Sequence, residues 1–411
     1  MARPNNEEGW QGLRNEVNEA FSPGSPIRAL TELSGRTEQR QRLSDIMLRA
    51  GEHAIVYGER GVGKTSLART FHAVLNSETR KVQECAINCV EADTFTSLWR
   101  KVFRRLGYKQ TNSSLDAKYN NEITPDDVLW ELTKFSLNDL PIIIFDEFDR
   151  LTNPNSKSLM TDTVKLLSDD RAHAKLLFVG VADDVGELIS RHKSISRNLK
   201  QVRMPRLTLN ESESIVATRL KKCGMTIEEE ASFQIAFLSR GLPYFSHLVG
   251  QYTALSTIDD KHVNLTEPDV LKGLGAALQD VDQTITEAYL KAIVSQRPNV
   301  TLYEPVLVAC ALADSDELGR FQQTAVSDPL ARIVAKKPPY TPTTFAFHMN
   351  EFCVSKRGQI LTRTGEPRNY RYQFSDPMMQ PYVILRALES EGVTMEVFQQ
   401  FIARRQRGLS I

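Results

Sequence analysis

Hydrophobic positions along this chain follow two rhythms, and the change between them falls near residue 205. Before it, short apolar runs alternate with stretches in which apolar residues recur every three or four positions. The runs at 54–57, 82–89, 141–146, 175–181 and 199–204 predict strands, and Ile142 to Phe145 has no polar alternation, the mark of a strand covered on both faces. Helices are expected over 30–50, from Lys64 through Leu75, and over 94–106, 128–135 and 159–167. Phe95, Leu98, Val102, Phe103 and Leu106 show the helical spacing best. Strands and helices alternating at this distance predict a doubly wound α/β layer with ligands at the strand C-termini.

Beyond residue 205 every periodic segment reads as helix: 212–222, 228–238, 244–254 and 268–278 form a helical subdomain, and 284–295 leads onward. The last module reads as helices over 303–313 and 322–334, a Lys336-Lys337-Pro338-Pro339 break, a helix over 343–355, and a hairpin. Its strands, 359–364 and 369–374, flank Gly365-Glu366-Pro367-Arg368, and Tyr370, Tyr372 and Phe374 alternate with polar residues as in a half-buried edge. Three helices and a hairpin make a winged helix-turn-helix. Residues 1–25 are polar, end in Ser22-Pro23-Gly24-Ser25 and read as an arm or linker; 107–124 read as a surface insertion. The expected division is an arm (1–25), an α/β core (26–208), a helical lid (209–283), a winged helix (284–395) and a tail (396–411).

Chemistry concentrates where the first strand ends. Gly58-Glu59-Arg60-Gly61-Val62-Gly63-Lys64-Thr65-Ser66 holds G-x-x-x-x-G-K-T between a strand and a helix. Glycines let backbone N–H groups crowd onto phosphate oxygens, the helix offers its positive end, Lys64 reaches the terminal phosphates and the Thr65 hydroxyl binds Mg²⁺. Asp146-Glu147 closes the fully apolar strand: one carboxylate can hold Mg²⁺ and its neighbour can activate the attacking water. Alone, that pair would be an ordinary solvated turn; downstream of the glycine loop it complements it. A further cation is needed opposite the γ-phosphate, and Arg197, just before the last strand, is the candidate, acting from a neighbouring subunit, with Arg191 in reserve. The plain alternative is a surface basic cluster.

Composition narrows the partners. The 411 residues are 41% hydrophobic and 25% charged, and Lys plus Arg equal Asp plus Glu at 51 each. From residue 331 onward, however, 12 basic residues face 6 acidic ones, an excess of six that marks the C-terminal region for an anionic partner. There Lys356, Arg357, Arg363, Arg368 and Arg371 suit phosphate contacts, whereas Thr344, His348 and Glu351 on the third helix make a poor kit for reading bases. Contact with another protein is the competing use of that module. Five scattered cysteines form no C-x-x-C and no zinc spacing, so they read as buried thiols of a reducing compartment. His173, His192, His247 and His348 have no metal-binding spacing either. No apolar run approaches the ~20 residues that span a bilayer, and the polar N-terminus is not signal-like, so a cytoplasmic location is expected.

Taken together, Phe21-Ser-Pro-Gly-Ser-Pro26, Leu33-Ser-Gly-Arg36, the glycine loop, Asp146-Glu147, Ser196-Arg197, a helical lid and a winged helix resemble the AAA+ family of P-loop NTPases. The resemblance spans roughly residues 21–385, and its nearest branches are the origin-recognition and Cdc-type initiators and the STAND ATPases. It implies ATP as the nucleotide, with Arg36 bordering the adenine and Pro243 approaching from the lid. Two positions depart from the pattern. Phe178-Val-Gly-Val-Ala-Asp183 offers no Asn or Thr as a polar sensor, leaving Asp183 as a substitute. The lid reads Gly241-Leu242-Pro243 beside Arg240, nearer the G-x-P of STAND proteins than an initiator's sensor arginine. Two functions are consistent with this: a slow ATPase switch that forms homo-oligomers through the nucleotide site and engages DNA, or a STAND-like regulator that activates an effector protein in a defence or transposition module.

Overall fold

The computed structural model describes residues 4–27, 29, 32–77, 80–106, 119, 121–136, 138–181, 197–294, 302–316, 318–334, 340–366, 369–394 and 396–401. The chain divides into two units: Met1–Ser25 with Arg60–Val62 and Arg206–Ile411, and Pro26–Glu59 with Gly63–Pro205. Contrary to the expected arm, the N-terminal stretch folds as a helix, α1 (Glu7–Ala20). The Asn6 side chain accepts from Gly9 N at 2.9 Å, and Glu7 and Glu8 face the positive helix end. Trp10, Leu13 and Val17 fall on one face and are buried, with Phe21 just beyond. Each contributes about 1.5–3 kcal/mol when fully buried. The stripe is so thin that the polar residues around it hide it from composition.

The α/β unit follows. α2 (Thr37–Leu48) begins well after residue 30, because Gly35 and Arg36 have φ of 69° and 59°, which no helix can include. Then come β1 (His53–Gly58), α3 (Lys64–Thr70) running into a 3₁₀ turn at Phe71–Val74, β2 (Lys81–Asn88) and α4 (Phe95–Arg105). The unit ends with α5 (Pro125–Leu132), β3 (Asp139–Asp146), α6 (Pro154–Asp169), β4 (Lys175–Val181) and β5 (Leu199–Arg203). Thr94 and Thr124 open α4 and α5 with capping boxes. All five strands are parallel in the order β2-β3-β4-β1-β5, so β1 lies where the winding reverses. Trp99, Phe145 and Phe178 fill the layer on one face, with Phe145 stacked on Phe178 at 5.5 Å. Most of the expected insertion at 107–124 lies outside the described residues; of the rest, Ile123 is buried and Tyr119 donates to Glu131 at 2.6 Å.

The other unit continues with α7 (Leu209–Lys222), β6 (Thr226–Ile227), α8 (Glu229–Leu238), α9 (Pro243–Asp259), β7 (Asn264–Leu265) and α10 (Glu267–Gln279). The expected all-helical stretch thus also holds a short parallel pair, β6 with β7. α9 and α10 cross closely at Gly273, where a Cβ would stand 2.9 Å from Thr253 N. α1 packs on α7 and α9: Phe21 meets His247 edge-on at 6.0 Å, Lys261 pairs with Glu7 at 2.8 Å and Arg14 with Asp259.

After α11 (Gln283–Ile293) come α12 (Tyr303–Leu312), β8 (Phe321–Gln322), a 3₁₀ turn (Gln323–Val326) and α13 (Ser327–Ile333). α14 (Pro342–Glu351), β9 (Leu361–Thr364), β10 (Arg371–Phe374) and α15 (Met379–Glu389) complete the unit. The helix expected over 322–334 is broken because Gln322 pairs with Arg371 and Pro329 tolerates only a helix's first turn. β8 also makes β10 the middle of three antiparallel strands (β8-β10-β9) rather than a half-buried edge, so Tyr372 and Phe374 are buried. No sequence pattern predicts α15, because its buried run from Met379 to Leu385 lacks a polar face to show helical period. Among the described residues no helix is long and apolar enough to cross a membrane.

Candidate functional site

β1 delivers the chain to the glycine loop at the C-terminal end of the sheet. Gly58 has φ 150°, and a Cβ there would stand 2.4 Å from the Met204 carbonyl oxygen just after β5. This glycine is therefore required by the sheet itself. Gly61 and Gly63 have φ of 84° and 91°, and Gly63 serves as N-cap of α3. Lys64 is 8% exposed and its Nζ donates to the carbonyls of Gly58 at 2.9 Å and Glu59 at 2.6 Å. The ammonium is thereby folded into the cradle made by its own loop. Ser66 Oγ accepts from Ile27 N at 3.2 Å, which ties the segment before α2 to α3.

β3 brings the acidic pair to the same place. Thr65 Oγ1 donates to Asp146 Oδ1 at 3.1 Å, joining two motifs 81 residues apart. Asp146 Oδ1 also accepts from Glu147 N at 3.0 Å. Burial pushes the Asp146 carboxyl up; the Thr65 and Glu147 hydrogen bonds and the Arg69 guanidinium oppose it. Glu147 is left-handed, φ 53°, and its half-exposed carboxylate accepts from Arg150 at 3.1 Å. Asp149 Oδ1 accepts from Val181 N at 2.9 Å, linking the turn after β3 to the end of β4.

The oxygen set of Thr65 and Asp146 fits a hard divalent cation, and Lys64 with the glycine loop fits the phosphates it would accompany.

The remaining predicted residues are spread wider. Arg36 is buried at the start of α2, and Arg197 is exposed just before β5. Arg60 pairs with Asp376 at 3.1 Å, and Pro243 is the first residue of α9. Arg240 donates to the Ala313 carbonyl at 3.2 Å and lies over the Phe237 ring. Asp183, Arg191 and Arg368 lie outside the described residues. Among the basic candidates, Lys356 is exposed, Arg363 donates to Asn350 at 2.8 Å, Arg371 pairs with Asp316 at 3.4 Å, and Arg357 covers the Tyr303 ring at 3.7 Å. Three of the four described cations are thus already engaged. Sequence reasoning missed Arg69, Asn88, Asp149 and Arg150, none of which belongs to a motif; the β2–β3 register sets Asn88 beside Asp146, Arg69 reaches Asn88 from α3, and the turn after β3 carries the other two.

Residues 47–188 match the family model described as AAA domain. An ORC1-type DNA replication protein of Thermoplasma volcanium is 27% identical over 186 residues, which is 44% of this chain and 44% of that protein. The match therefore spans less than half the length of this curated relative. The ORC2 protein of Aeropyrum pernix, solved as ADPNP and ADP complexes, superposes with a TM-score of 0.53 at 14% identity, covering 95% of this chain and 98% of its own. A Walker-type ATPase of Pyrococcus abyssi gives 0.53 at 16% identity, covering 89% and 99%. The α/β unit has the P-loop NTPase fold, and residues 47–188 within the chain are similar to the AAA domain.

Proposed function

We propose that the chain binds ATP with Mg²⁺ and hydrolyses it slowly, using the nucleotide as a conformational switch. The observation that carries this reading is the Thr65–Asp146 hydrogen bond at 3.1 Å beside the loop that cradles Lys64. Lys64 exchanges its two loop carbonyls for phosphate oxygens. Thr65 and Asp146 hold the cation, which when bound adds positive charge against the phosphates. Glu147 orients the attacking water and takes its proton, for which its carboxylate must leave Arg150. Arg36 borders the base, Pro243 approaches from residues 209–283 acting as a lid, and Arg197 completes a neighbour's site in a homo-oligomer.

In nucleotide titrations, Lys64→Ala is expected to lose ATP binding. Glu147→Gln is expected to keep it while turnover falls about 10²-fold or more. Full turnover by Glu147→Gln would refute the assigned base.

The C-terminal helices and three-stranded sheet are read as a winged helix that touches DNA through phosphates. The basic excess and the named role of the Thermoplasma relative support this. A second reading rests on Phe347, 63% exposed on α14, an apolar side chain that suits a protein partner, and so an effector, better than a phosphate backbone. If DNA is the partner, affinity falls steeply between 50 and 200 mM salt, and Lys356→Ala with Arg363→Ala and Arg371→Ala lowers it. If protein is the partner, Phe347→Ala abolishes capture and duplex binding is absent.

A further inference from the structure

Five residues after Lys64, α3 presents an arginine that the reading above leaves unused. Arg69 Nη2 donates to Asn88 Oδ1 at 2.9 Å and lies 3.8 Å from Asp146 Oδ2. The Arg69 side chain is 32% exposed and that of Asp146 5%. Asp146 is therefore gripped from two sides. Its Oδ1 takes hydrogen bonds from Thr65 and Glu147, while its Oδ2 faces the guanidinium. Asn88 is the register partner of Asp146 across β2 and β3, and Cys89 N donates to the Asp146 carbonyl at 2.8 Å. Arg69 Nε is buried without a hydrogen-bond partner, so the guanidinium is held through Nη2, by Asn88 and the Asp146 charge. Such a group persists where a neighbouring charge fixes it.

We propose that Arg69 is a positioning residue for the cation site: by tying Asn88 and the outer oxygen of Asp146 together, it keeps the inner oxygen beside Thr65. The proposal rests on reading the site as one for a magnesium nucleotide. Partners that orient a metal ligand are worth about 10–100-fold in metal affinity. A merely structural arginine joining α3 to β2 would weaken binding of nucleotide with and without Mg²⁺ alike.

The test uses the full chain and a fluorescent ATP analogue, in Mg²⁺ and in EDTA, together with a Mg²⁺ titration of turnover. Arg69→Met is expected to raise the half-saturating Mg²⁺ about tenfold while affinity in EDTA stays unchanged. Arg69→Lys restores part of the loss, since it returns the charge without the fork that reaches Asn88. If Arg69→Met does not fold, Arg69→Gln takes its place against the same Lys variant. Unaltered Mg²⁺ dependence, or equal losses in Mg²⁺ and EDTA, overturns the role of Arg69. An unsubstituted chain that binds no adenine nucleotide in either condition instead overturns the reading of the site, and the proposal with it.

Discussion

His53 shows how strongly a single buried group can tie stability to pH. Its Nδ1 accepts from Leu176 N at 3.0 Å, while its Nε2 is buried without a partner. Burial, and then the Lys175 ammonium beside it, lowers its pKa from 6.5 to about 3. The folded value lies below the unfolded one, so the unfolded chain binds the extra proton first. Stability from this group is whole above pH 6.5 and is lost as pH falls toward 3, by on the order of 2–3 kcal/mol at pH 4.5. Asn offers an acceptor without a titrating group, so His53→Asn is expected to flatten urea-unfolding stability between pH 6.5 and 4.5. A slope equal to the parent's would place the acid sensitivity elsewhere. At this scale the candidate residues Lys64, Thr65, Asp146 and Glu147 were legible because the proposed chemistry requires fixed spacing. Arg69 was not, because only the pairing of Asn88 with Asp146 creates the place it occupies.

Elements were legible where burial produced a long pattern. The strands of the α/β unit were, because a doubly covered strand is almost entirely apolar. α1 was not, since three buried residues in fourteen leave composition polar. Its docking is nevertheless specific: Phe21 fits only because Gly250 has no side chain, a Cβ there standing 2.9 Å from Phe21 Cε1. Trp10→Ala with Val17→Ala is expected to undock α1, so that hydrogen exchange of residues 7–20 becomes fast while residues 53–58 stay protected. Trp→Ala in a core costs about 3–5 kcal/mol, and the loss here is capped by the docking energy of α1. Slow exchange in the double variant would mean that polar contacts such as Lys261–Glu7 hold the helix instead. The broken helix after Phe321 teaches a related point: a strand of two residues is too short for any period, and its partner Arg371 lies far along the chain.

At the scale of the whole molecule, the proposed function makes chains complete one another's sites. Arg197 is exposed just before β5, and its proposed place is the nucleotide site of a neighbouring chain. An Arg197→Ala chain keeps its own loop, and a Lys64→Ala chain keeps its arginine. Mixing the two inactive proteins is therefore expected to restore part of the parental ATPase rate. No recovery at any ratio would make Arg197 structural. The near-neutral total charge conceals a basic C-terminal region, yet Arg371 and Arg363 are partly engaged by Asp316 and Asn350. Charge counted along the chain therefore overstates the charge offered to a phosphate backbone.

The amino-acid order by itself determined the parallel α/β layer, the glycine loop and its acidic complement, because hydrophobic period and phosphate chemistry act over short stretches. Tertiary structure alone decided which oxygen of Asp146 meets Thr65 and that β10 lies between two neighbours. It also decided that residues 7–20 form a docked helix. Those outcomes depend on strand register and on side chains distant in the chain, and no local pattern carries that information.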